Sequence, residues 1–235
     1  MATALPAAGT RDPSAPPCNR VPVSKALGSP NFGERRGGVR PTLIVLHYTG
    51  MATCAAARDR LCDPAAEVSA HWLISETGEA EALVPEALRA WHAGAGSWRG
   101  VTDVNSHSIG IELANPGDRP FPEPQMATLE GLLAGVMARW GIEAPGVIAH
   151  SDMAPSRKGD PGRRFDWRRL ALQGLAVWPV MAAPGDFRAD LWAFGYPDAL
   201  QPDLLAAFRL RFRPWGFGPV DDVDAGLAAG LRSVA

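Results

Sequence analysis

Three residues in this chain could do chemistry together. They are His47 in Leu46-His47-Tyr48-Thr49, His150 in Ala149-His150-Ser151-Asp152, and Asp160 in Arg157-Lys158-Gly159-Asp160-Pro161-Gly162. Two imidazole nitrogens and a carboxylate oxygen are the kind of donor set a catalytic zinc site uses, with three protein ligands and a fourth position kept for water. Spacing alone does not establish such a site, because a chain of this size scatters histidines and aspartates over surface and core. The neighbours add weight. Glu112, in Ser108-Ile109-Gly110-Ile111-Glu112-Leu113, is either a solvent-facing residue or a general base that takes a proton from the attacking water and passes it to the departing amine. Lys158, two positions before Asp160, is either a surface cation or the group that holds the oxyanion of a tetrahedral intermediate. Pro161 biases Asp160 towards an extended backbone, which suits a ligand that must point one way.

These residues need elements to hold them. The stretch 41–46 is an apolar, β-rich run of strand length that delivers His47 at its carboxyl end. A compact Ala/Arg-rich helix is expected over 55–61, a strand over 69–75, and a hairpin turn at 76–79 leading into a strand over 80–84. Residues 85–88 read as a helical turn. Strand 108–114 alternates, with Ile109, Ile111 and Leu113 on one face and Gly110 and Glu112 on the other. Between 122 and 141 the apolar residues recur at intervals of three and four, an amphipathic helix with Gly141 placed to end it. A last strand over 146–150 again ends in histidine, and a helix over 165–175 closes this unit. Both candidate histidines then sit at strand carboxyl ends, where open α/β sheets keep their ligands.

Outside that unit, 1–38 reads as a mostly irregular arm lying on or ahead of the domain, and 39–178 as the catalytic domain. A Pro/Ala/Gly linker follows over 179–186. Residues 187–235 show three helical runs with a miniature apolar core, too small to be comfortable alone and expected to dock on the first domain.

Composition sets limits on function. At 46% hydrophobic and 20% charged the chain is ordinary globular material, and its formal net charge of −2 excludes the basic footprint of a nucleic-acid binder. No stretch approaches the length of a membrane span, and the first residues lack an apolar signal core, so a cytoplasmic location is expected, with export by an unrecognised route as the alternative. Three cysteines, Cys18, Cys54 and Cys62, fit a reduced compartment; a Cys54–Cys62 bridge is open but not demanded by spacing.

Taken in order, the segments quoted above together with Ser69-Ala70-His71-Trp72-Leu73-Ile74 and Trp91-His92-Ala93-Gly94 resemble the zinc-dependent N-acetylmuramoyl-L-alanine amidases of the type-2 family, which includes AmpD-like and AmiD-like enzymes. The resemblance spans roughly residues 40–175. It implies an α/β fold with a central mixed sheet flanked by helices, one Zn2+ at His47, His150 and Asp160, and Glu112 with Lys158 as the catalytic pair. It also implies a substrate groove formed by Tyr48, Trp91, His92, Asn115 and Arg157. Arg157 could pair with a stem-peptide carboxylate or be a solvated loop residue, and His71 reads as a core histidine bonded to backbone. The final helices resemble a peptidoglycan-binding-type domain, carried by Leu205-Ala206-Ala207-Phe208-Arg209-Leu210-Arg211-Phe212-Arg213-Pro214 with Asp222. The implied reaction cuts the amide between N-acetylmuramic acid and L-alanine, in a monomer that acts on muropeptides. Without an export signal the expected substrates are recycled 1,6-anhydro-muropeptides; the alternatives are a wall amidase and a recognition protein that binds without cutting.

Overall fold

In the computed structural model the residues described are 28–234 together with the two-residue strand at 23–24; Cys18 and most of the expected arm lie outside them. The architecture is built around one strand, β3 (Leu43–Tyr48). Its run of β-branched and leucine residues has no polar side chain before His47, so it can be buried on both faces, and Ile44, Val45 and Leu46 are all fully buried. It pairs in parallel with β7 (Ser108–Leu113) on one side and β8 (Val147–Ala149) on the other. Beyond β7 lies β4 (Trp72–Ile74), also parallel, and the hairpin returns through antiparallel β5 (Ala80–Ala82). A short β1 (Val23–Ser24) closes that edge, giving the order β1-β5-β4-β7-β3-β8 and a mixed sheet. Two further residue pairs, β2 (Phe32–Gly33) and β6 (Arg89–Ala90), form a separate ribbon.

The period of two along β3 divides the interior into two cores. Ile44 and Leu46 join Ile109, Ile111 and Leu113 of β7 and meet α3 (Glu123–Trp140), whose Met126, Leu129, Leu132, Leu133 and Val136 form its apolar stripe. Gly141 ends α3 with φ of 68°, donating its N–H to the Met137 carbonyl, the left-handed stop that glycine permits. α5 (Trp167–Leu172) packs into the same core. On the opposite face Leu43, Val45 and Ile148 are covered by α6 (Phe187–Phe194), α7 (Gln201–Phe212) and α8 (Asp222–Gly230), through Phe187, Leu191, Phe194, Phe208 and Phe212. The C-terminal helices therefore share a core with the sheet.

α1 (Cys54–Cys62) follows β3, capped by Thr53, whose hydroxyl accepts the Ala56 N–H at 3.1 Å. Cys54 and Cys62 stand at opposite ends of this helix, about 12 Å apart at 1.5 Å per residue, and are not bridged to each other. The described part of the expected arm is tied down. Ser29 donates to the Leu61 carbonyl, Asn31 to those of Asp63 and Val68, and Arg35 to those of Asn105, Ser106, Ser108 and Glu86. Among the described residues no helix is long and apolar enough to cross a membrane.

Candidate metal centre and active-site cleft

Three elements end at one point. His47 sits near the carboxyl end of β3, in register with Glu112 on β7, so the two side chains leave the same face of the sheet. His150 opens α4 (His150–Met153), the single helical turn that follows β8. Asp160 comes from the loop beyond α4, and the Ser151 N–H donates to its carbonyl at 3.0 Å, tying that loop to the turn. His47 Nδ1 and His150 Nδ1 are 2.9 Å apart, and Asp160 Oδ2 lies 2.9 Å from the first and 3.0 Å from the second.

The hydrogen bonds around this triangle decide where the ring protons are. Ser108 donates its hydroxyl to the Val104 carbonyl at 2.6 Å, so at its Oγ, 3.2 Å from His92 Nε2, it must accept. His92 is thus protonated on Nε2 and accepts at Nδ1, which makes His47 Nε2, 3.0 Å away, the donor. His150 Nε2 donates to the Ala93 carbonyl at 2.8 Å. Both ligand-side Nδ1 atoms are left with lone pairs that face each other and a carboxylate oxygen. Such an arrangement repels itself unless a cation lies among the three atoms, and fixing the imidazoles through their outer nitrogens is how metal sites orient histidine ligands. A tetrahedral zinc with bonds of about 2.0–2.1 Å spaces its ligand atoms roughly 3.3–3.4 Å apart, so this triangle fits after opening by a few tenths of an ångström. The donor set suits zinc.

Burial, and next the neighbouring His150, holds the His47 imidazole down at about 4, and burial likewise keeps His92 neutral. Glu112 is moved the other way. Burial, then the Asp160 charge, raises its carboxyl well above the ordinary value, and its Oε2 is buried with no hydrogen-bond partner.

A cleft of about 400 Å³ opens over these groups. Tyr48, Met51, Arg60, Trp91, Arg157 and Lys158 are among its walls, so Tyr48, Trp91, His92, Arg157, Glu112 and Lys158 are all brought together as the sequence suggests. Asn115 is not. It is 1% exposed, with its amide donating to the Arg119 and Pro120 carbonyls and its Oδ1 accepting from Gly117 N–H, so it shapes its own loop and is absent from the cleft wall. Arg157 reaches the cleft with part of its guanidinium already used, Nε donating to Ala95 and one Nη to Ala93 and Ala95 carbonyls. The support role of His92 and Ser108 was not readable in advance. Its one signal is Gly110: a Cβ there would lie 2.5 Å from His92 Cδ2, so the strand needs glycine where the ring crosses it.

A parallel-centred sheet with a His/His/Asp cluster, beside a glutamate whose Oε2 is buried and unpartnered at the strand ends, is an arrangement suited to metal-assisted hydrolysis on an α/β fold. The chain matches the N-acetylmuramoyl-L-alanine amidase family model over residues 37–163 and belongs to that family. It is 38% identical over 215 residues to N-acetylmuramoyl-L-alanine amidase AmiD of Escherichia coli strain K12, covering 74% of this chain and 76% of that one. It is 34% identical over 164 residues to 1,6-anhydro-N-acetylmuramyl-L-alanine amidase AmpD of Enterobacter cloacae, covering 63% of this chain and 88% of that one. The solved complex of E. coli AmiD with anhydro-N-acetylmuramic acid-L-Ala-D-gamma-Glu-L-Lys superposes with a TM-score of 0.75 at 31% identity, over 87% of this chain and 98% of that one.

Proposed function

We propose that this chain is a zinc-dependent N-acetylmuramoyl-L-alanine amidase that frees stem peptides from soluble 1,6-anhydro-muropeptides in the cytoplasm, as a monomer. The observation that carries the reading is the meeting of two imidazole lone pairs and a carboxylate oxygen, within 3.0 Å of one another, beside a buried carboxyl with an unpartnered oxygen.

His47 and His150 through Nδ1, and Asp160 through Oδ2, would hold the zinc. A bound zinc supplies Lewis acidity, which polarises the scissile carbonyl and lowers the pKa of water. Glu112 Oε2 takes a proton from the attacking water and delivers it to the nitrogen of L-alanine as the C–N bond breaks. The raised proton affinity of that carboxyl, caused by burial and the Asp160 charge, suits the delivery of a proton to the leaving nitrogen. The Lys158 ammonium holds the negative charge that develops on the carbonyl oxygen. The products are a lactyl carboxylate and a stem peptide with a free amine, so atoms balance with one water consumed.

Tyr48 and Trp91 offer flat surfaces for sugar and peptide. With part of the Arg157 guanidinium committed to backbone, the exposed cleft residue Arg60, which has no hydrogen-bond or ion-pair partner among the described residues, is the arginine best placed to meet a stem carboxylate. A second reading, an amidase that also works on the intact wall, is favoured by the match to AmiD, whose name, unlike that of AmpD, does not restrict it to the 1,6-anhydro sugar.

The test is mass spectrometry of products from anhydro-muropeptides and from sacculi, with and without chelator. Chelator-sensitive release of free stem peptide from the soluble fragments alone is the expected result. Release from sacculi as well would favour the second reading; products retaining the sugar–alanine bond, or no products, would overturn the assignment.

A further inference from the structure

Behind the metal centre, on the side away from the cleft, lies a buried polar cluster that the reaction does not use. Asp152, at the third position of the α4 turn, is completely buried. Its Oδ2 accepts from the Ala149 N–H at 2.9 Å and from Arg211 Nη1 at 2.5 Å, and its Oδ1 accepts from the Tyr196 hydroxyl at 2.5 Å. Arg211 comes from α7 and Tyr196 from the residues just after α6, so both partners belong to the C-terminal helices. The same guanidinium donates its other Nη to the Val147 carbonyl of β8 at 3.1 Å. It lies over the Trp167 ring, 4.2 Å from the centroid.

The positions of these contacts matter more than their number. Val147 precedes His150 by three residues and Asp152 follows it by two. One rigid, planar group therefore grips the chain on both sides of a metal-ligating histidine, and Asp152 caps the turn on which that histidine stands. The Ser151 N–H passes the constraint to Asp160 through its carbonyl, so two of the three donor atoms are held from behind. A one-turn helix has too few internal hydrogen bonds to fix its own orientation, so this turn takes its orientation from outside.

We propose that Arg211 and Tyr196 are positioning residues for the metal centre, and that the C-terminal helices set its metal affinity by clamping Asp152. This rests on the metal-site reading above. A purely mechanical tie between helices and sheet would make a different prediction, since it would stabilise the fold without changing affinity for the ion.

The experiment measures the zinc dissociation constant of the full-length chain by competition with a chromophoric chelator, alongside thermal unfolding of the zinc-free form. Tyr196→Phe removes one hydroxyl and keeps the ring against Trp98, so it is the mild variant. It should bind zinc about tenfold more weakly, and Arg211→Lys, which keeps the charge but cannot span Val147 and Asp152 in the same way, about 10–100-fold more weakly. Arg209→Met breaks the buried Arg209–Asp224 pair within the C-terminal helices, away from Asp152. It should lower the unfolding temperature and leave the zinc constant unchanged. Zinc constants for Tyr196→Phe and Arg211→Lys within twofold of the parent, or an equal loss in Arg209→Met, would overturn the proposal. His150→Ala separates the two levels of the argument: if it binds zinc as the parent does, or if the parent binds none, the metal-site reading falls and this proposal with it.

Discussion

Glu112 differs from the buried carboxylates elsewhere in the protein. Glu81 is paired with Arg58, Asp152 with Arg211 and Asp224 with Arg209, as burial of charge requires. Glu112 Oε2 has no such partner. Replacing it by glutamine keeps size and polarity while removing the proton-carrying group. Turnover should fall by about 10²–10⁴-fold with zinc content unchanged, which rate measurements and metal analysis on the same sample would check. His71 is the opposite case, a histidine fully used by the fold. Its Nδ1 accepts from Gly110 N–H at 2.9 Å and its Nε2 donates to the Leu88 carbonyl at 3.1 Å. Burial holds it at about 4, below its unfolded value of roughly 6.5. Its contribution to stability is complete above roughly pH 6.5 and is lost as pH falls towards 4, because the unfolded chain takes up the proton first; the full loss is about 3 kcal/mol. Urea unfolding at a series of pH values should show a slope one proton smaller in His71→Gln. The His/His/Asp cluster and the Glu112 beside it were legible because their residue types are chemically specific and their neighbours distinctive. The partners that orient them were not, since the His47–His92 and Asp152–Arg211 contacts join positions 45 and 59 residues apart.

Elements with a long period could be read in advance, and short ones could not. α3 carries five turns of amphipathic pattern, and β3 and β7 carry the apolar runs of central strands, so their existence and faces follow from local sequence. α2 (Val104–His107) and α4 are single turns, and β1, β2 and β6 are two residues each, too brief for any period to register. Asn115, which the resemblance placed in the groove, instead closes the loop after β7 with its amide. Gly110 links strand to site. Gly110→Ala puts a methyl group against the His92 ring, which must move and so release His47 Nε2. We expect about 1–3 kcal/mol of destabilisation and roughly tenfold weaker zinc binding, measurable by denaturant unfolding and chelator competition.

At the scale of the molecule, β3 faces two cores, one closed by α3 and one by the C-terminal helices. Neither core exists without the other's strand. Calorimetry should therefore give one cooperative transition for the whole chain, and two separated transitions would show the helices to be an independent domain. Chelation should move that transition. Free zinc at about a thousand times its dissociation constant stabilises the folded state by roughly 4 kcal/mol, so its removal should lower the midpoint by about 8–16 °C in a protein of this size.

The pairing of β3 also has a consequence for synthesis. His47 leaves the ribosome 103 residues ahead of His150, an interval of roughly 5–20 s at about 5–20 residues per second. Throughout it a strand of leucine, isoleucine and valine lacks one of its neighbours, and the helices that cover its second face come later still. The nascent chain is sticky for most of its translation, and a truncated product has nowhere to hide that strand. Incomplete copies are thus work for chaperones and proteases, and half-made enzyme contributes no activity.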